Sequence, residues 1–119
     1  MIDPVSVARQ YVALSNEHAV DAALACFHPE ATYHSSAQGT FEGIAAIRPM
    51  MEAFFARFPD IHWEVAAYRQ EGTATAGFDF VATAHDAQTG EAITRKGTER
   101  ISVAADGRIC RVEVEVEVA

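Results

Sequence analysis

The spacing of hydrophobic residues divides the chain into a helical first half and an extended second half. In the first half, a large apolar residue recurs every three or four positions, which is the spacing of one apolar helix face. These residues are Ile44, Ile47, Met51, Phe54 and Phe58. After residue 60 the period changes to two, which is typical of strands that bury one face of a sheet. The pattern therefore predicts a long helix followed by a sheet.

Two further helices are predicted before this one. Asp3 followed by Pro4 combines a residue that caps helix N-termini with one that suits the first helical position. The apolar stripe that follows extends to about Asn16. A second, shorter helix is expected over residues 19–26, and Pro29 is expected to end it because proline cannot continue a helix.

The extended segments begin with a short piece at residues 31–35. Four longer strands are expected at about 61–70, 73–85, 92–104 and 108–118. The turns between them are predicted at Glu71-Gly72, Thr89-Gly90 and Asp106-Gly107. Three helices followed by a meander of antiparallel strands indicate an α+β fold in which the helices pack on one sheet face. We expect the 119 residues to form a single domain, 1–119.

Alternation along the strands assigns their inward faces. In the last strand Val112 and Val114 point inward, and the glutamates between and after them point outward. Glu99 lies on the same strand face as Ile101 and Val103, which predicts an acidic side chain on the buried side of the sheet. Burying a neutral polar group without a hydrogen-bond partner costs on the order of 2–7 kcal/mol. Burying an ionised carboxyl group costs more than this. Glu99 should therefore either titrate at high pH or find a partner.

Composition and charge exclude several functional classes. The chain has 9 basic and 17 acidic residues, a net charge of −8, and only Arg95 and Lys96 are adjacent basic residues. A nucleic-acid partner is not expected without a basic patch, and neither is an anionic membrane surface. The N-terminus has no signal-peptide pattern and no apolar stretch reaches the length of a membrane span. We expect a soluble, cytoplasmic protein.

The sequence offers no metal or cofactor motif. Cys26 and Cys110 are interpreted as small core residues, since two cysteines form neither a disulfide framework nor a metal-type spacing. His, Asp and Glu residues do not converge at metal spacing, and a glycine-rich phosphate loop is absent. We therefore expect function without a cofactor.

Four segments carry a resemblance to a known family. They are residues 27–34 (FHPEATYH), 42–48 (EGIAAIR), 58–60 (FPD) and 106–109 (DGRI). In this order the chain resembles the SnoaL-like polyketide cyclases and ketosteroid isomerase, within the nuclear-transport-factor-2-like superfamily. The resemblance covers essentially the whole chain. It implies a cone-shaped α+β barrel, with three N-terminal helices packed on a strongly curved antiparallel sheet, and a homodimer through the outer sheet face.

Members of this family hold a hydrophobic pocket between the helices and the concave sheet face. The face assignments predict that the pocket is lined by Tyr11, Tyr33, Ser35, Phe54, Phe58, Trp63, Phe78, Phe80, Glu99, Val112 and Val114. The number of large aromatic residues favours an open pocket that binds a small apolar molecule. The alternative is that these side chains form a plain core.

The resemblance implies roles for two polar residues. Tyr11 matches the position of the isomerase's oxyanion-hole tyrosine, and Glu99 matches an acidic residue that the isomerase keeps protonated as the second donor. Both could donate hydrogen bonds to a developing enolate oxygen. The alternatives are a half-buried Tyr11 with its hydroxyl at the surface, and a Glu99 at the rim that pairs with Arg95 or Arg100.

The expected general base is missing. Ser35 stands where the isomerase has its aspartate, and a serine cannot carry a proton between carbons as a carboxylate does. His34 and His85 are the candidate substitutes by pKa. Alternation turns His34 away from Tyr33, however, and His85 would need a bulge to point inward.

Two functional hypotheses follow. The first is a small cofactor-independent enzyme of isomerase, cyclase or lyase type that binds an apolar, carbonyl-bearing molecule and stabilises its enolate with Tyr11 and Glu99. A water, His34 or His85 would then carry the proton. The second is a non-catalytic ligand-binding or dimerisation domain of the same fold. The directions of His34 and His85 discriminate between them, because an enzyme of this kind needs a proton carrier in the pocket.

Overall fold

The first helix begins where its capping residues predict. In the computed structural model, which describes residues 2–117, α1 spans Pro4–Asn16. The Asp3 carboxylate accepts hydrogen bonds from the Val5 amide at 3.0 Å and from the Ser6 hydroxyl at 2.9 Å. These bonds satisfy N–H and O–H groups that the first turn leaves without a helical partner.

The other two helices also follow the hydrophobic pattern. Helix α2 spans Val20–Ala25 and α3 spans Ile44–Arg57. The α3 stripe is confirmed: Ile47 and Met51 are buried, and Phe58 is buried at the helix C-terminus. Fully burying a side chain of this size contributes about 1.5–3 kcal/mol, so this stripe holds α3 on the sheet.

Six strands form one sheet beneath the helices. They are β1 (Phe27–Ser35), β2 (Gly39–Glu42), β3 (His62–Gln70), β4 (Thr75–His85), β5 (Ala92–Val103) and β6 (Ile109–Val116). Their order across the sheet is β2-β1-β6-β5-β4-β3. The four strands predicted after residue 60 are confirmed as a meander, apart from the end of the predicted 108–118 strand, since residue 118 lies outside the described residues.

The sequence-based expectation needs three corrections. The sheet is mixed, because β1 pairs with β6 in parallel. The sheet is not closed into a barrel, because β2 and β3 are its two edges. Strand β1 is also longer than the predicted 31–35 segment and includes Pro29, which does not end α2. The β1–β6 register shifts between Phe27 and Thr32, and this irregularity accommodates a proline without an N–H to donate.

The predicted faces are confirmed. Ile101, Val103 and Val112 are buried on the inner face, together with Glu99. The outer positions of β6 are exposed or partly exposed, as the alternation requires. The three helices therefore pack against a face whose composition is set by every second residue of the strands.

Two local features bend the sheet. In β3, Ala67 has a positive φ of 58° where the pairing with β4 shifts register, which is a bulge that increases strand twist. In β5, a methyl group on Gly97 would collide with the Glu115 carbonyl oxygen and lie 2.9 Å from the Phe80 Cζ atom. Only glycine allows β6 and the Phe80 ring to approach β5 so closely at this point.

Two side chains, one at the end of α1 and one just after it, hold the chain where β3 begins. The Asn16 side-chain amide donates to the Trp63 carbonyl oxygen at 3.0 Å, and the Trp63 amide donates to Asn16 Oδ1 at 2.8 Å. His18, in a left-handed conformation with φ of 56°, donates from Nε2 to the Ile61 carbonyl oxygen at 2.7 Å. Asn16 thus pairs with the strand much as a neighbouring strand would.

We expect Asn16→Ala to destabilise the fold by about 1–2 kcal/mol, because two hydrogen bonds to one residue are lost together. Gln10→Ala is the matched control, since Gln10 is an exposed side chain on the same helix, and should change stability by less than about 0.5 kcal/mol. Urea midpoints measure both. Equal midpoints for the two variants would show that water replaces the Asn16 contacts without cost.

Candidate functional site

A cavity of about 70 Å³ lies between α1, α3 and the inner face of the sheet. One water needs about 10–15 Å³, so the space exceeds what a single buried water occupies. Eight of the residues predicted to line a pocket border this cavity: Tyr11, Tyr33, Ser35, Phe54, Trp63, Phe80, Glu99 and Val114.

Three residues predicted to line the pocket do not border the cavity. Phe58, Phe78 and Val112 are 4%, 1% and 0% exposed and belong to the packed core. The Phe78 ring packs against Tyr68, with 5.3 Å between centroids, and the Phe58 ring packs against Phe54 at 5.2 Å. Alternation predicts which face a side chain occupies but not how deep it lies along the strand, so these three were misplaced.

Exposure increases along the inner face of β5 and shows where the cavity opens. Ile101 is fully buried, Glu99 is 7% exposed, and Arg95 is partly exposed. Strand β6 shows the same trend, from buried Val114 to partly exposed Val116. Glu99 therefore lies at the inner end of the cavity and Arg95 at its mouth.

The Glu99 carboxyl group faces this cavity without a partner among residues 2–117. It lies in register between Phe78 on β4 and Val114 on β6. Arg100, one of its possible partners, points to the other side of the sheet and donates to Glu71 at 2.7 Å. Burial alone raises the pKa of Glu99 from 4.5 to about 8, because an apolar environment disfavours the charged form.

Two tyrosines share this environment. Tyr11 is 5% exposed, so its hydroxyl is not a surface group. Burial raises the pKa of Tyr11 well above its usual value, and the charges of Tyr33 and Glu99 raise it further. Burial and then the charge of Glu99 raise the pKa of Tyr33 in the same way. The two phenols therefore stay protonated as donors, and both border the same cavity as Glu99.

The structure does not bring either histidine to the cavity. His34 lies on the opposite strand face from its neighbours, and its Nδ1 lies 2.7 Å from the Thr40 hydroxyl. The His85 side chain is 66% exposed and its Nδ1 pairs with Asp60 at 2.6 Å. Strand alternation explains both positions, since no bulge redirects residue 85. Ser35 does border the cavity, and its hydroxyl accepts a hydrogen bond from the Ala37 amide at 3.2 Å.

Sequence reasoning missed several residues of the cavity wall. Phe55, Met50 and Gln38 border it, and so does Arg95. Arg95 could have been found, because it lies an even number of residues from Glu99 on the same strand and so shares its face. Phe55 could not, because it lies beside the helical stripe rather than within it.

Residues 2–117 contain no group of three His, Cys, Asp or Glu side chains placed to hold a metal ion. None of the helices among these residues has the length and hydrophobicity needed to cross a membrane.

Comparison with known protein families identifies the class to which this fold and cavity belong. Residues 8–112 match the family described as the SnoaL-like domain, so the chain belongs to the SnoaL-like family of the nuclear-transport-factor-2-like superfamily. A comparison with curated proteins finds no significant match.

Solved structures of other proteins share this fold. An NTF2-like protein of unknown function from Exiguobacterium sp. 255-15 is 23% identical, with a TM-score of 0.83 over 95% of this chain and 99% of that one. The epoxide hydrolase/cyclase-like enzyme SalBIII, from pyran ring formation in the polyether salinomycin, is 16% identical with a TM-score of 0.84, covering 95% and 89%. A protein with a ketosteroid isomerase-like fold from Catenulispora acidiphila, in complex with trimethylamine, is 14% identical with a TM-score of 0.80, covering 91% and 82%.

Burial of Glu99 predicts a pH-dependent stability. Because its pKa in the folded state, about 8, lies above the value of 4.5 for a free glutamate, the folded state binds more protons between these values. The free energy of unfolding should then fall as pH rises through this range, by at most about 5 kcal/mol.

Glu99→Gln should remove this pH dependence and be more stable than the unmodified chain at pH 8. Glu115→Gln is the control, because Glu115 is exposed on the neighbouring strand, and should retain the dependence. Urea unfolding at pH 5, 6.5 and 8 measures the three proteins. A Glu99 that titrates like a free glutamate by NMR would contradict the prediction.

Proposed function

We propose that this SnoaL-like protein is a small cofactor-independent enzyme that binds an apolar, carbonyl-bearing molecule in the cavity and stabilises its enolate. The observation that carries the proposal is the unpartnered Glu99 carboxyl group, directed into an apolar cavity beside the buried Tyr11 and the partly buried Tyr33. A carboxyl group with a pKa of about 8 is mostly protonated at neutral pH. It can then donate a hydrogen bond rather than only accept one.

Glu99 and Tyr11 would act together on the carbonyl oxygen. When a proton leaves the carbon next to a carbonyl group, negative charge develops on the oxygen. Donors already in place stabilise this charge strongly in a site that excludes water, and removal of one such donor from an enzyme costs about 2.7–4 kcal/mol. Aromatic rings, above all Phe54, Trp63 and Phe80, would hold the apolar body of the ligand.

The positions of His34 and His85 restrict the choice of proton carrier. Neither side chain reaches the cavity, so a water remains as the carrier of the carbon proton. Protonated Glu99 donates to the carbonyl oxygen and so cannot also take that proton. Acid activation of a carbonyl therefore fits these residues better than a proton shuttle between two carbons, for which Ser35 is unsuitable. SalBIII, an epoxide hydrolase/cyclase-like enzyme with the same fold, supports the proposal that this chain is an enzyme.

One observation favours a second function, a domain that binds the same ligands without catalysis. Among the described residues that border the cavity, Glu99 is the only carboxylic acid and there is no histidine. A binding domain needs no proton carrier, and Glu99 and Tyr11 would then only orient the carbonyl group.

Acetophenone binding tests the proposed role of Glu99. Trp63 is the single tryptophan of the chain and borders the cavity, so its fluorescence reports on ligands there. Glu99→Gln keeps a hydrogen-bond donor and should bind nearly as well as the unmodified chain. Glu99→Ala should bind about 10-fold more weakly, the equivalent of one hydrogen bond. Unchanged affinity in Glu99→Ala, relative to the exposed control Glu115→Gln, would contradict the proposal.

Exchange of the acetophenone methyl protons in D₂O separates the two functions. An enzyme that stabilises the enolate should speed up this exchange over buffer, and Glu99→Ala should lose the acceleration. NMR follows the loss of the methyl signal directly. Binding without any acceleration would identify the protein as a binding domain instead.

A further inference from the structure

Arg95 is the only basic side chain among the described residues that border the cavity. It lies on the inner face of β5, four residues from Glu99. Residues four apart on a strand have Cα atoms about 13 Å from each other, which sets the length scale of a ligand that contacts both side chains. The cavity thus has an acidic group at its inner end and a guanidinium group at its mouth.

The guanidinium group of Arg95 has no carboxylate partner among residues 2–117. Its central carbon lies 5.4 Å from the centre of the Phe58 ring. Within residues 2–117, six other arginines form ion pairs. Arg57 also approaches the Phe58 ring, at 5.5 Å, but Asp86 holds it through bonds of 3.1 and 2.9 Å. Arg95 therefore remains available to an anion in the cavity.

The space between Arg95 and Glu99 is lined by an aromatic ring. Gly97 lies between them on the same face and has no side chain, and the Phe80 ring packs closely over it. A ligand that extends from Glu99 to Arg95 would therefore lie against Phe80, with apolar contacts along its length.

From this arrangement we infer that the ligand of the proposed function is a small apolar oxo acid, with its carbonyl group at Glu99 and a carboxylate bound by Arg95. The inference rests on the proposed function and adds the substrate class. Guanidinium and carboxylate groups form two parallel charge-assisted hydrogen bonds, which fix orientation as well as affinity. The reverse orientation would place the ligand's charge in the apolar inner end of the cavity, which is costly.

The negative net charge of the whole chain bears on the role of Arg95. With a net charge of −8, the protein as a whole repels anions at long range. Among the described residues Arg95 is the one cation that borders the cavity. It creates a local exception, and this is the arrangement that selects an anionic group at one position only.

A matched pair of probes tests the inference. 4-Acetylbenzoate carries both a ketone and a carboxylate, whereas 4-methylacetophenone has nearly the same shape without the charge. At pH 6.5 the benzoate is ionised and Glu99 is protonated. Trp63 fluorescence should show that 4-acetylbenzoate binds about 10-fold more tightly, the equivalent of one charge-assisted hydrogen bond.

Arg95→Ala should remove this advantage and leave the affinity for 4-methylacetophenone unchanged. Lys96→Ala is the matched control, because it removes the same charge one residue away on the outer sheet face. Arg95→Lys should retain part of the advantage, since it keeps the charge but not the two parallel bonds. Urea midpoints of all three variants show whether Arg95 also stabilises the fold through the Phe58 ring.

The outcomes separate this inference from the proposed function. Equal affinity of the unmodified chain for the two probes, or an equal loss of the advantage in Lys96→Ala, would overturn the role of Arg95 while ketone binding through Glu99 stands. Failure of both probes to change the fluorescence would overturn the proposed function and this inference with it.

Discussion

The inner face of β5 is the constraint around which the interior is organised. A strand has two faces, and the face that meets the helices must hold every second residue, whatever its chemistry. From Val103 and Ile101 this face proceeds to Glu99, Gly97 and Arg95, so it changes from fully apolar to charged along one strand. The apolar end packs against the helices and supplies free energy of folding. This free energy offsets the cost of the unpaired Glu99 carboxyl group and the open cavity at the other end of the strand.

Much of the fold could be predicted because its signals are local in the sequence. The Asp3-Pro4 start of α1, the apolar stripe of α3 and the alternation along β3 to β6 each involve residues a few positions apart, whose geometry is set by the period of a helix or strand. The inward position of Glu99 follows from the same rule. Its raised pKa follows in turn, because the composition of that face already indicates an apolar environment.

The remaining features depend on contacts between distant parts of the chain. The parallel pairing of β1 with β6 and the short strand β2 have no periodic signal, and neither has the contact between Asn16 and Trp63, which are 47 residues apart. Depth within the cone also escaped prediction. Phe78 and Phe80 have the same parity on the same strand, yet only Phe80 borders the cavity, because Phe78 packs against Tyr68 within the core.

The contacts of Asn16 and His18 with the chain at the start of β3 have a consequence for how copies of this chain can associate. The two sheet edges are β2, which is four residues long, and β3. An open edge strand offers a row of free amide and carbonyl groups on which another chain can extend the sheet, a common route to aggregation. In β3 the backbone groups of Trp63 are already bound by a side chain of the same molecule, and the bulge at Ala67 twists the rest of the strand away from a flat template. Strand addition is therefore obstructed at the longer edge.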